Sequence, residues 1–157
     1  MYKNLKIIAI IPARGVSTRI PKKNILPFSG KPMIAWTIEA ARLSKYVDTI
    51  LVSTECERIK KVALKYKADV PFMRSGASDN KSSVSEATLL SYQQSENYYG
   101  KFDVILQLMP NCPLRNVSDI DSALEYYFKN NNESQISFFK FGWMNPWWAH
   151  TLDGNIP

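Results

Sequence analysis

The chain has 157 residues, 45% hydrophobic and 22% charged, which suits one globular domain with a real core and argues against disorder. A formal net charge of +6 and a pI of about 9.3 favour an anionic partner, without choosing among nucleotide, phosphorylated sugar, acidic sugar and nucleic acid. Cys56 and Cys112 are too few for a disulfide framework and lack metal-ligand spacing, so they read as reduced thiols in a cytoplasmic protein. No apolar run is long enough for a signal-peptide core or a membrane span.

In chain order, Leu5–Ile11 is a short apolar run ended by Pro12 and predicts a buried parallel strand. Residues 12–31 form a loop, and Pro32 suits the first turn of a helix continued by Met33–Leu43. Thr49–Val52 predicts a second strand, Glu55–Tyr66 a helix and Val70–Met73 a short third strand. After a polar loop at Arg74–Lys81, Ser82–Tyr98 has helical spacing and Phe102–Met109 is an apolar strand stopped by Pro110. Ser118–Lys129 predicts a helix opened by a Ser118/Asp121 capping box, and Gln135–Phe141 a last strand. Strands alternating with helices imply a three-layer α/β/α fold with a mainly parallel sheet and right-handed crossovers. Ligands then collect at the carboxyl ends of strands, where loops 12–31, 74–81 and 110–116 emerge.

The first of these loops, "IIPARGVSTRIPKKN", concentrates Arg14, Arg19, Lys22 and Lys23 beside the small residues Ala13, Gly15 and Ser17. Small residues let the backbone approach a ligand, Gly15 permits positive φ, and exposed N–H groups with Arg14 and Lys23 would cradle an anion. Arg presents a bidentate fork to phosphate, and Lys a point charge. The pattern is neither G-x-x-x-x-G-K-[ST] nor G-x-G-x-x-G. A solvated basic connector is the plain alternative.

This loop, followed by "GKPMIAWTIEAA", resembles the N-terminal signature of the sugar-activating cytidylyltransferases, nearest the CMP-acylneuraminate (CMP-sialic acid) synthetases and their pseudaminic and legionaminic relatives. "ILVSTECERIKKVALKYKADVPFMR" and "MPNCPLR" resemble that family's second βα unit and its fourth-strand loop, so the likeness runs through nearly the whole chain in ordered blocks. The resemblance implies a Rossmann-like, doubly wound domain of the nucleotide-diphospho-sugar transferase type. It implies that CTP and an acidic nonulosonic sugar react to CMP-sugar and pyrophosphate, with Mg²⁺ as the divalent ion, in a homodimer. No nucleic-acid-binding motif occurs, the basic residues sit in a loop instead of along a helix, and no segment could cross a bilayer, so neither nucleic acid nor membrane is expected as partner.

Carried over position by position, Arg14 meets the triphosphate and Lys23 and Asn24 supply downstream contacts, making Arg14 and Lys23 the expected catalytic charges. Ala13, Gly15, Ser17 and Arg19 complete the nucleotide loop; Arg74 and Ser83 lie near cytosine; Asn111 lies with the nucleotide and Arg115 with the sugar. Thr18 and Arg19 depart from the Lys many acylneuraminate enzymes carry, and S-T-R-x-P is closer to the CMP-Kdo synthetases. Against a Kdo enzyme, no acidic residue occurs between Val104 and Asn116. The family's metal-binding aspartates would lie beyond Pro157, so residues 1–157 are expected to be a single domain lacking its C-terminal part. Trp143, Trp147 and Trp148 read equally as core, sugar contact or dimer surface, and His150 as structural. A Kdo-type enzyme, another sugar nucleotidyltransferase and a non-enzymatic nucleotide- or nucleic-acid-binding module are the alternatives.

Overall fold

In a computed structural model, residues 4–17, 20–77 and 82–138 are described. The apolar run forms β1 (Ile7–Pro12), whose first five residues are fully buried. A strand with no polar face must be covered on both sides, and β1 is the centre of a parallel sheet. It pairs on one side with β4 (Thr49–Ser53), in register Ile8 with Thr49 through Pro12 with Ser53. On the other side it pairs with β5 (Val104–Gln107), Ile7 with Val104 through Ile10 with Gln107.

Between β1 and the first helix, residues 23–25 make one 3-10 turn, and β2 (Pro27–Phe28) and β3 (Lys31–Pro32) form a small antiparallel hairpin. Helix α1 spans Met33–Leu43, and Pro32 caps it in an extended conformation instead of occupying its first turn. Helix α2 (Glu57–Lys65) buries Ile59 and Ala63, one turn apart. Helix α3 (Val84–Tyr99) starts at the N-cap Ser83 and stops at Gly100, whose φ of 73° an L side chain would resist. Helix α4 (Val117–Lys129) buries Ile120 and Leu124.

Alternation along β1 sorts the layers. Ala9 and Ile11 pack with Ile34 and Ile38 of α1, Ile59 and Ala63 of α2, and Ile120 and Leu124 of α4. Ile8 and Ile10 face the opposite way with Leu51, against Phe72, Tyr92 and Phe102. There α3 lies close to the sheet through the small buried residues Ala87, Thr88, Ser91 and Ser95. The result is a Rossmann-like α/β/α arrangement in which the chain passes from β1 to β4 on one side and then to β5 on the other. That reversal places a crevice at the carboxyl ends of β1 and β5.

Three expectations are corrected. Val70–Met73 makes no strand; the parallel pairing there is one bridge, Asp69 to Leu51, after which the chain turns away to bring Arg74 N–H to the Thr54 carbonyl at 2.9 Å. The α4 capping box is Asn116/Asp119, because Asp121 instead accepts a hydrogen bond from Ser44 Oγ at 2.6 Å, joining α4 to the end of α1. Residues 135–138 form no strand, with Ile136 and Phe138 exposed; the remainder of that predicted element lies outside the described residues. Among the described residues no helix is long and apolar enough to cross a membrane.

Candidate functional site

The loop after β1 continues alongside the end of β4. Ala13 N–H donates to the Ser53 carbonyl at 2.8 Å and Gly15 N–H to Glu55 Oε1 at 2.5 Å. Gly15 is therefore explained by space and not by positive φ: a Cβ there would meet Cys56 Cβ at 2.7 Å, whereas the glycines with positive φ among the described residues are Gly30, Gly76 and Gly100. Farther on, Lys22 takes a left-handed conformation (φ 56°) that opens the 3-10 turn and turns Asn24 inward. Asn24 is buried and its Nδ2 donates to the Arg14 carbonyl at 3.0 Å, so two ends of the basic loop clamp each other.

Arg74 arrives from the turn after Asp69 and is buried, with its side chain 1% exposed. Its Nη1 donates to the carbonyl and the hydroxyl of Ser53, each at 3.3 Å, and its Nη2 to Glu55 Oε2 at 3.0 Å. Burial pulls the Arg74 pKa below its ordinary value; Glu55 opposes that shift and the nearby Arg14 charge adds to it. The guanidinium still stays protonated at neutral pH.

These elements enclose a cleft at the crevice between β1 and β5. From the first loop it is lined by Arg14, Ser17, Lys23 and Asn24, from the second by Arg74, from the start of α3 by Ser82 and Ser83, and from the β5 loop by Asn111. No carboxylate is among the described residues lining it, so the cleft is cationic and suited to an anion. Ser83 serves twice: its Oγ accepts the Glu86 N–H at 3.1 Å as a helix cap, and the residue also faces the cleft. Asn24 Oδ1 and Arg74 Nε are buried without a hydrogen-bond partner, leaving one acceptor and one donor on cleft-lining residues.

Of the residues expected from sequence, Arg14, Ser17, Lys23, Asn24, Arg74, Ser83 and Asn111 thus come together. Ala13 and Gly15 lie in the loop without lining the cleft. Arg115 directs Nη1 to the Met109 carbonyl at 3.5 Å and does not line it. Arg19, with Thr18, the Trp cluster and His150, lies outside the described residues. Glu55 was missed, although a carboxylate directly after a buried strand and opposite a cation-rich loop was the available signal. Among the described residues no group of three or more His, Cys, Asp or Glu could hold a metal ion. They do not fit a resident Mg²⁺ site.

The chain matches the family model described as cytidylyltransferase over residues 8–144. It is 40% identical over 140 residues to a pseudaminic acid cytidylyltransferase of Campylobacter jejuni, covering 87% of this chain and 60% of that one. It is 36% identical over 158 residues to a CMP-N,N'-diacetyllegionaminic acid synthase of Legionella pneumophila, covering 97% and 66%. The chain thus spans less than two thirds of the length of these curated relatives. Among solved structures it is similar to a CMP:2-keto-3-deoxy-manno-octonic acid synthetase complexed with CTP, with a TM-score of 0.66, 24% identity, and 80% of this chain and 48% of that one covered. That likeness speaks to the fold. With the family model matching most of this chain, and with the relatives above, the chain belongs to the cytidylyltransferase family.

Proposed function

We propose that this chain carries the nucleotide site of an enzyme that activates an acidic nonulosonic sugar with CTP, forming a CMP-sugar and releasing pyrophosphate. The observation that carries the reading is the convergence of Arg14, Lys23 and Arg74 on one carboxylate-free cleft at the β1/β5 crevice. Arg14 and Lys23 bind the triphosphate and neutralise the charge that grows on the leaving pyrophosphate as the anomeric hydroxyl attacks the α-phosphorus. Arg74, Ser83 and Asn24 take the base: cytosine offers an amino donor and two acceptors, and Asn24 and Arg74 each keep one polar atom without a partner, the acceptor Oδ1 and the donor Nε. Asn111 lies toward the ribose, and Arg115, through the β5 loop, toward the sugar.

The names of the relatives support a pseudaminic-, legionaminic- or sialic-acid-like substrate. The family resemblance supports Mg²⁺ as the divalent ion of that reaction, for which the described residues provide no ligand group. The family resemblance supports a cytoplasmic homodimer as the form of the whole protein. The test is pyrophosphate release from CTP across pseudaminic, legionaminic, sialic and Kdo substrates. Release with a nine-carbon acid is expected; release with Kdo alone, or with none in the whole protein, contradicts the reading.

A further inference from the structure

Glu55 does not line the cleft, yet it touches two of the segments that do. Its oxygens divide between them: Oε1 accepts the Gly15 N–H at 2.5 Å and Oε2 accepts from Arg74 Nη2 at 3.0 Å. Arg74 is almost wholly buried while the Glu55 side chain keeps 26% of its surface exposed. A buried cation is thus balanced by a carboxylate that retains some solvent, which lowers the cost of burying the pair. The same carboxylate uses the Gly15 amide, so that amide is turned to Glu55, while Arg14, Ser17 and Lys23 of the loop line the cleft.

From Arg74 the chain of bonds continues. Nη1 reaches Ser53 Oγ, Ser53 Oγ meets Ser91 Oγ at 2.5 Å, and Ser91 Oγ donates to the Ala87 carbonyl at 2.5 Å. Ala87 lies in the first turns of α3, which also line the cleft. One carboxylate therefore sets the relative placement of the basic loop, Arg74 and, through Ser53 and Ser91, the start of α3.

We propose that Glu55 is a positioning residue for the nucleotide: it holds the basic loop against Arg74 and stays bonded to both while CTP is bound. This rests on the CTP reading above. The geometry requires an acceptor toward each of two donors. A glutamine has one acceptor oxygen and one donor NH₂, so Glu55→Gln must break one bond and also leaves the Arg74 charge uncompensated. Glu55→Asp keeps the charge and two acceptors but is one methylene shorter, so it restores the tie in part. A residue that merely neutralised Arg74 for stability would change the unfolding temperature and leave the affinity of folded protein for CTP unchanged.

The experiment measures CTP affinity by calorimetry on this chain and its Glu55→Gln and Glu55→Asp variants, well below each unfolding midpoint. Nuclear magnetic resonance follows the Gly15 amide in parallel. We expect Glu55→Gln to weaken CTP binding by about tenfold or more, the equivalent of one charge-assisted hydrogen bond, with Glu55→Asp between it and the wild type. Equal affinity in folded Glu55→Gln and wild type overturns the positioning role and leaves the CTP reading standing. Absence of CTP binding by the wild type overturns both. The wild-type arm does not depend on a variant folding: an unchanged Gly15 amide signal at CTP saturation supports the proposal. Through-hydrogen-bond coupling from that amide to a CTP phosphorus overturns it.

Discussion

The hydroxyls of Ser53, at the end of β4, and Ser91, in the middle of α3, meet at 2.5 Å in the interior, both fully buried. Neither side chain is long, so the contact requires helix and sheet to lie close, and it leaves Ser53 Oγ as an acceptor for Arg74. Replacing Ser91 by Ala removes one partner from a buried hydroxyl while Arg74 still satisfies the other side. The expected loss is about 1 kcal/mol in a urea unfolding titration, with CTP affinity falling less than for any change at Arg74. A stabilised Ser91→Ala variant would contradict this packing.

A side chain on Gly15 would run into Cys56. The obstacle to Gly15→Ala is Cys56 Cβ at 2.7 Å, which the backbone fixes in place, with its Sγ at 3.0 Å beside it. Overpacking of this kind costs about 1–3 kcal/mol and displaces the basic loop, so both stability and CTP affinity should fall. Adding Cys56→Gly removes both atoms and should return part of the affinity. Calorimetry of the single and double variants checks the pairing.

Much of this was legible in the sequence because it is local. Ile7–Ile11 has no polar face, so a central strand follows; α1 occupies Met33–Leu43 as its spacing required; and strand–helix alternation implied the parallel sheet. What escaped depends on residues distant along the chain. Asp121 left its expected cap to bond Ser44, and Asn116 took the cap instead. Val70–Met73 has strand-like composition, but the backbone bends after Asp69 so that Arg74 can turn under the first loop. Glu55 drew no attention because its two partners come from separate loops that only the fold brings together.

Asn24 provides a third test. Its Nδ2 holds the Arg14 carbonyl at 3.0 Å inside the loop. Asn24→Asp replaces that donor by an acceptor facing a carbonyl oxygen and adds negative charge to a cationic cleft. Stability should fall by about 1–3 kcal/mol and CTP binding should be lost, while an Asn24→Asp variant that binds CTP normally would remove Asn24 from the site.

Alkaline pH should weaken the fold in part through Tyr99. Its hydroxyl donates to Asp69 Oδ2 at 3.1 Å, and burial first, then the Asp69 charge and that bond, raise its pKa above the ordinary value. A folded-state pKa above the unfolded one means that the stabilisation is complete below about pH 10 and is lost as pH rises through the folded value. Unfolding midpoints measured from about pH 8 to 11 should decline more steeply for the wild type than for Tyr99→Phe. Parallel declines would contradict the linkage.

The central claim is that the cleft formed by Arg14, Lys23, Asn24, Arg74 and Ser83 selects CTP. Calorimetric titration of the chain with CTP, ATP, GTP and UTP tests it most directly, repeated with Arg14→Ala and Arg74→Ala. The prediction is binding that prefers CTP and is lost in either variant. Equal binding of all four nucleotides, or CTP binding indifferent to both substitutions, would contradict it.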